Sequence, residues 1–230
     1  MRIRIGMENG YENRSLAWAL DFPGCFAYGA DAATALLKMP RALLNYRDWA
    51  EKHAGREYIE LGDFDLRTVE SFDVYSVDEN LEPADTGHLV NAWFRDDWRP
   101  LSGEDVQCGL ELLSWSRADL LAIGQHLPAD LLDRELPGER WSIRGILGHI
   151  AHAEWWYLDR LGLGGERSEL PEEVFERLDC VRARLLAALP GLVGIKQVVG
   201  LRGEFWSPRK VLRRALWHEM DHIGHIAHLI

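Results

Sequence analysis

The residues best suited to chemistry in this 230-residue sequence are histidines near its C-terminal end. His218, His222 and His225 recur at spacings of four and three residues, which place them on one face of an α-helix. Two imidazoles four residues apart on a helix can direct their ring nitrogens at a single zinc ion. The spacing therefore predicts part of a metal site, which a second helix must complete.

A second histidine pair lies in another segment with a helical pattern, where His149 and His152 are three residues apart. Neutral imidazoles that are buried together compete for hydrogen-bond donors, and protonated ones repel each other. One divalent cation, with zinc, nickel or iron as candidates, resolves that conflict. Its binding should weaken below about pH 6.5, where protons compete for imidazole. The alternative is that the histidines occupy a solvated helix face or are separate, hydrogen-bonded core residues.

The residues His218 to His222 also match the HExxH pattern, in which the glutamate is the general base of a zinc peptidase. The longer metzincin pattern requires a glycine three residues after the second histidine, but His225 occupies that position. A zinc peptidase with Glu219 as its base stays open as an alternative.

Four helical segments must position these histidines. The first two are predicted to begin after N-cap residues Ser102 and Ser142, the third after Pro171, and the fourth after Ser207-Pro208. Each segment has an apolar stripe at helical spacing, and no strand is evident. We therefore expect residues 101–230 to form an all-α four-helix bundle.

The N-terminal part of the chain has a different pattern. Residues 1–80 contain alternating segments typical of strands, and a helix is predicted over Asp31–His53 with Asp31 as its N-cap and a kink or break at Pro40. The following residues, 81–100, are predicted to be a linker. The expected fold class is thus α+β, with a small α/β module over residues 1–80 before the bundle.

Composition limits the function classes. The net charge of −11 argues against nucleic-acid binding, and no segment has the apolar length of a signal peptide or a membrane span. The three scattered cysteines suggest neither a disulfide framework nor a thiolate cluster, so a reducing cytoplasm is the expected compartment. The expected partners are a small-molecule substrate and a second copy of the chain in a homodimer.

Two segments resemble a known family. Leu136–Trp156 and Leu216–Ile223 resemble the tryptophan-serine helix start, the following metal histidine and the HxxxH pair of the DinB/YfiT-like superfamily, over about residues 100–230. The resemblance implies His149, His218 and His222 as metal ligands and a metal-dependent transferase or hydrolase acting on small molecules, often with a low-molecular-weight thiol. His152 and His225 are candidates to orient ligands or shuttle a proton, and Glu154, Glu219 and Asp221 are candidates to hold the other nitrogen of an imidazole. Four aromatic residues adjoin the ligands in sequence and are candidates to line a pocket: Trp155, Trp156, Tyr157 and Trp217.

A second resemblance concerns residues 1–55, where Trp18–Cys25 and Ala27–Gly29 are similar to the HicB-like domain. That family is a small α/β fold that usually binds a partner protein. It implies an alternative function for the chain, as a non-catalytic binding or regulatory protein. Whether the chain is an enzyme is left open by the sequence.

Overall fold

The computed structural model describes all residues from Met1 to Ile230. The chain forms two compact units. The first unit contains Met1–Arg99 and Val198–Lys210, and the second contains Pro100–Gln197 and Val211–Ile230. Strands and helices are both present, so the α+β class predicted from the sequence is confirmed.

The first unit is built on a four-stranded sheet with the strand order β3-β2-β1-β4. The antiparallel strands are β1 (Arg2–Tyr11), β2 (Arg14–Ala19) and β3 (Phe26–Gly29), and helix α1 (Ala32–Ala54) then leads to β4 (Asp65–Asp73), which is parallel to β1. A smaller sheet follows, with the order β6-β5-β7, from β5 (Tyr75–Val77), β6 (Pro83–Ala84) and β7 (His88–Val90).

Helix α1 begins as predicted, because the side chain of Asp31 accepts a hydrogen bond of 2.7 Å from the backbone N–H of Thr34. The predicted break at Pro40 does not occur, since the helix continues through this residue. Pro40 lies on the exposed face, where water can hydrate the carbonyl that proline leaves without a donor. The opposite face is buried and includes Ala35, Met39 and Leu43.

The structure differs from the expected domain boundaries in two places. Residues 81–99, expected in a linker, carry β6 and β7 and belong to the first unit. A hairpin of β8 (Val199–Leu201) and β9 (Glu204–Trp206) occurs where no strand was expected, and it also belongs to the first unit. Strands of three residues are too short to show an alternating pattern in the sequence. The buried carboxylate of Glu204 anchors the hairpin by accepting a 2.8 Å hydrogen bond from the N–H of Asn91.

The second unit is helical. Its helices are α2 (Gly103–Gly124), the short α3 (Ala129–Leu132), α4 (Ile143–Asp159), α5 (Val174–Ala188) and α6 (Pro208–Leu229), the last of which begins in the first unit. Ser102 and Ser142 cap α2 and α4 as predicted. One hydrophobic core receives residues from α2, α4, α5 and α6, among them Leu120, Ile150, Leu178 and Ile226. None of the helices combines the length and the apolar character needed to cross a bilayer.

Candidate metal centre

Three histidines from two helices converge in the second unit. His149 comes from α4, whereas His218 and His222 come from successive turns of α6. One ring nitrogen of each lies within 4.8 Å of the others. The Nε2 atoms of His149 and His218 are 3.0 Å apart, and the ring centroids of His218 and His222 are 4.5 Å apart. The structure thus brings together the three residues that the sequence predicted as a ligand set.

The environment keeps two of these imidazoles, those of His218 and His222, uncharged. His218 is buried, and loss of hydration, together with the neighbouring His222, His149 and Arg214, holds its pKa well below the usual value. Burial, followed by the nearby His149 and His225, lowers the pKa of His222 to about 4. Both rings are therefore neutral at physiological pH, which is the form that offers a nitrogen lone pair to a cation.

The donor set fits a divalent metal ion. The Nδ1 atom of His222 is buried and has no hydrogen-bond partner, which is a costly arrangement for a polar atom. Three imidazole nitrogens from two helices match the number of protein ligands in a catalytic zinc site. Imidazole also suits iron and nickel, so the ligand chemistry does not select one metal among these.

Aromatic side chains surround the three histidines. The Trp141 ring, just before α4, stacks on His149 with a centroid distance of 4.6 Å. The ring centroids of Tyr157 and Trp217 lie 6.1 and 5.7 Å from that of His218. Since the rings restrict how the imidazoles can rotate, they help to hold the ligand geometry. Two of the four aromatic residues singled out in the sequence, Tyr157 and Trp217, thus lie at the site.

The remaining aromatic candidates have other contacts. Trp155 donates its indole N–H to the carbonyl of Gly165 at 3.2 Å, and the Trp156 ring packs on Tyr157 and under the guanidinium of Arg160. The prediction that Trp155 and Trp156 line a pocket stays untested.

The outer histidines differ in their relation to the three-histidine group. His225 lies next to His222, with ring centroids 6.0 Å apart, and its Nε2 contacts Glu139 Oε2 at 2.9 Å. His152 is half-buried on α4 outside the ligand group, and burial followed by Arg177 and Arg167 lowers its pKa. Of the two, only His225 therefore lies beside one of the three histidines.

Glu219 does not hold an imidazole, contrary to the role predicted for it. One of its oxygens accepts hydrogen bonds from Ser116 at 2.6 Å and Arg182 at 2.9 Å, and the other from Arg117 at 2.8 Å. The carboxylate is 100° around α6 from His218, by the geometry of an α-helix, and it points into the core. Its pKa is lowered because the two arginines outweigh the effect of burial.

Two buried arginines that contact Glu219 were not predicted from the sequence. Arg117 follows Leu113 by four residues, and Arg182 follows Leu178 by four, so each occupies a core position of an apolar stripe. Both residues are buried, at 5% and 4% exposure. A charged residue at a core position is the signal that could have found them, because buried charges require partners.

The centre is thus a three-histidine group of the metal-binding kind, set between two helices. A comparison with family models matches residues 112–226, half of the chain, to the DinB superfamily. The chain belongs to this superfamily. No curated protein and no solved structure matches it. Because the family match excludes the N-terminal residues, the HicB-like resemblance of residues 1–55 stays a prediction.

Proposed function

We propose that the second unit is a DinB-type four-helix bundle whose His149, His218 and His222 bind one divalent metal ion and act on a small molecule. The reaction class is thiol-dependent transfer or hydrolysis. The single observation that carries the proposal is the convergence of three ring nitrogens within 4.8 Å from two helices. The superfamily assignment supports it, as does the net charge of −11, which disfavours nucleic acid as a substrate.

A divalent ion held by three imidazoles supplies Lewis-acid chemistry, since it lowers the pKa of a thiol or water that takes its open position. The protein residues do the rest. The aromatic rings of Trp141 and Tyr157 shield His149 and His218 from water, which strengthens electrostatic interactions within the site. His225, paired with Glu139, lies beside His222 and is the residue best placed to accept a proton from a bound small molecule.

The peptidase alternative is disfavoured by the contacts of Glu219. A general base must reach the water that it deprotonates, but both oxygens of this carboxylate are occupied by Ser116, Arg117 and Arg182 inside the core. The HExxH match therefore reflects the helical spacing of two ligands, and the glutamate between them has another role.

Elemental analysis of the purified protein tests the proposed metal site. The wild-type chain should retain about one equivalent of a divalent metal, and a His218→Ala/His222→Ala variant should retain none. A matched control is His126→Ala/His228→Ala, which removes two exposed histidines of the same unit and should keep its metal. Equal metal content in the wild type and the His218→Ala/His222→Ala variant would overturn the proposal.

The reaction class requires a separate assay. The metal-loaded protein should transfer a low-molecular-weight thiol to an electrophilic small molecule, or hydrolyse a small ester or amide, and a chelator should abolish the activity. If the protein retains metal but catalyses neither thiol transfer nor hydrolysis, the alternative of a binding or regulatory protein is favoured.

A further inference from the structure

A network of four buried charges lies in the core of the second unit, and the proposed chemistry does not use it. It consists of Arg117 on α2, Glu154 on α4, Arg182 on α5 and Glu219 on α6, so each of the four long helices contributes one residue. All four side chains are at most 6% exposed. The network contains two positive and two negative charges and is balanced.

Each arginine bonds both carboxylates. Arg117 donates from Nε to Glu219 at 2.8 Å and from Nη2 to Glu154 at 2.9 Å. Arg182 donates from Nε and Nη2 to Glu154, each at 2.8 Å, and from Nη2 to Glu219 at 2.9 Å. The remaining arginine donors reach the main chain, since Arg117 bonds the carbonyl of Leu178 and Arg182 that of Leu113.

The carboxylates come from the two helices that carry the metal ligands. On α6, Glu219 directly follows His218, and on α4, Glu154 is five residues beyond His149. The helices that supply the arginines, α2 and α5, supply none of the three histidines. The network therefore links the two ligand-bearing helices through guanidinium groups that belong to neither.

This arrangement fixes the register of α4 against α6. A shift of one residue along a helix moves a side chain by about 1.5 Å and turns it by about 100°, which no hydrogen bond of this network can follow. Metal–nitrogen distances are tolerant only to about 0.2 Å, so ligand sets divided between two helices depend on such a register.

Stability alone does not explain the network. Buried ion pairs lose hydration, and apolar side chains of similar volume often replace them with no loss of stability. What apolar packing does not reproduce is the direction of the hydrogen bonds, which bidentate arginines impose.

We propose that Arg117, Glu154, Arg182 and Glu219 are positioning residues of the three-histidine site, which set the register at which His149 meets His218 and His222. The inference rests on the proposed metal site, and its test is chosen to separate the two. In this role Glu219 fixes the position of α6 and does not contact substrate.

The test replaces the whole network in the full-length chain by Arg117→Met, Arg182→Met, Glu154→Leu and Glu219→Leu. We expect this variant to fold with a melting temperature close to that of the wild type. Its affinity for Co²⁺, measured from the visible absorption bands of the bound ion, should fall at least about tenfold, with altered bands. The single variant Glu154→Gln, which keeps the side-chain shape, should show a smaller loss of Co²⁺ affinity. If the fourfold variant does not fold, this single variant tests whether the network positions the histidines.

Val181→Ala is the matched control. Val181 precedes Arg182 on α5 and is fully buried, but its side chain has no part in the network. This variant should lose stability and bind Co²⁺ as the wild type does. Wild-type affinity in both network variants would overturn the proposal, as would an affinity that follows melting temperature alone across all the variants.

A second measurement separates this inference from the metal site itself. In the metal-free wild type, imidazole ¹⁵N–¹H NMR should detect the contact between His149 and His218 Nε2, which are 3.0 Å apart. If the wild type binds no Co²⁺, the proposed function fails and this contact decides the inference. Its loss in the folded network variants supports the positioning role, and its persistence refutes it.

Discussion

Lowering the pH from 7 to 5 should destabilise the metal-free protein by about 2 kcal/mol through His222 alone. Burial lowers the pKa of this imidazole to about 4, whereas in the unfolded chain it is about 6.5. Between these values the unfolded state binds a proton that the folded state excludes, so acid favours unfolding. The stabilising contribution is fully present above pH 6.5 and is lost as the pH falls towards 4.

The assay is urea unfolding of chelator-treated protein at pH 7 and pH 5, followed by circular dichroism. A His222→Gln variant removes the titrating ring, and its loss of stability over the same range should be smaller than that of the wild type by about 2 kcal/mol. Carboxylates contribute equally to both proteins and cancel in the comparison. His228→Gln, at an exposed position, should keep the wild-type pH dependence.

Identical pH dependence in the wild type and the His222→Gln variant would refute the reasoning. It would mean that His222 accepts a proton in the folded state as readily as in the unfolded state. The His222 ring would then not lie in the dehydrated environment that lowers its pKa. The buried His218, whose pKa is also lowered, should add a loss in the same direction.

Three further predictions concern other features of the chain. Metal retention, titrated by elemental analysis, should persist well below the pH of about 6.5 expected from the sequence alone, because burial prevents protons from competing for His222 until lower pH. Lys210→Met should lower the free energy of unfolding, measured by chemical denaturation, by about 3 kcal/mol. The reason is that the fully buried Glu204 loses the ammonium that lies 3.4 Å away. Adding Glu204→Gln should restore part of the lost stability. Gly29→Ala should lower the free energy of unfolding by about 2 kcal/mol or more in the same assay, because the Cβ of an alanine at this position would lie 2.1 Å from the backbone nitrogen of Ala35.

Local sequence signals were sufficient to locate the two helices that carry the three histidines. Ser142 caps α4 through Gly145 N–H, and Ser207 accepts a hydrogen bond from Lys210 N–H at the start of α6. Both interactions depend on residues three apart, which is why the sequence reveals them. The histidine spacing on α6 is equally local, and it correctly predicted that His218 and His222 share a face.

The elements that were missed depend on residues far apart in the chain. The hairpin of β8 and β9 is held by contacts such as that of Glu204 with Asn91, over a hundred residues earlier. Arg117 and Arg182 acquire their role only when Glu154 and Glu219 are packed against them from other helices. No pattern within one helix identifies such a partner, although an arginine in a leucine stripe shows that one is needed.

The HExxH match shows how the fold decides the meaning of a motif. On α6 the residues of the match point in two directions, because successive side chains turn by about 100°. His218 and His222 face His149 on α4, and Glu219 faces the arginines of α2 and α5. In a peptidase the same glutamate must face the metal-bound water, which requires an open cleft on its side of the helix. Here residues of α2 and α5 cover the buried glutamate, so it serves the core and only the histidine spacing keeps its chemical meaning.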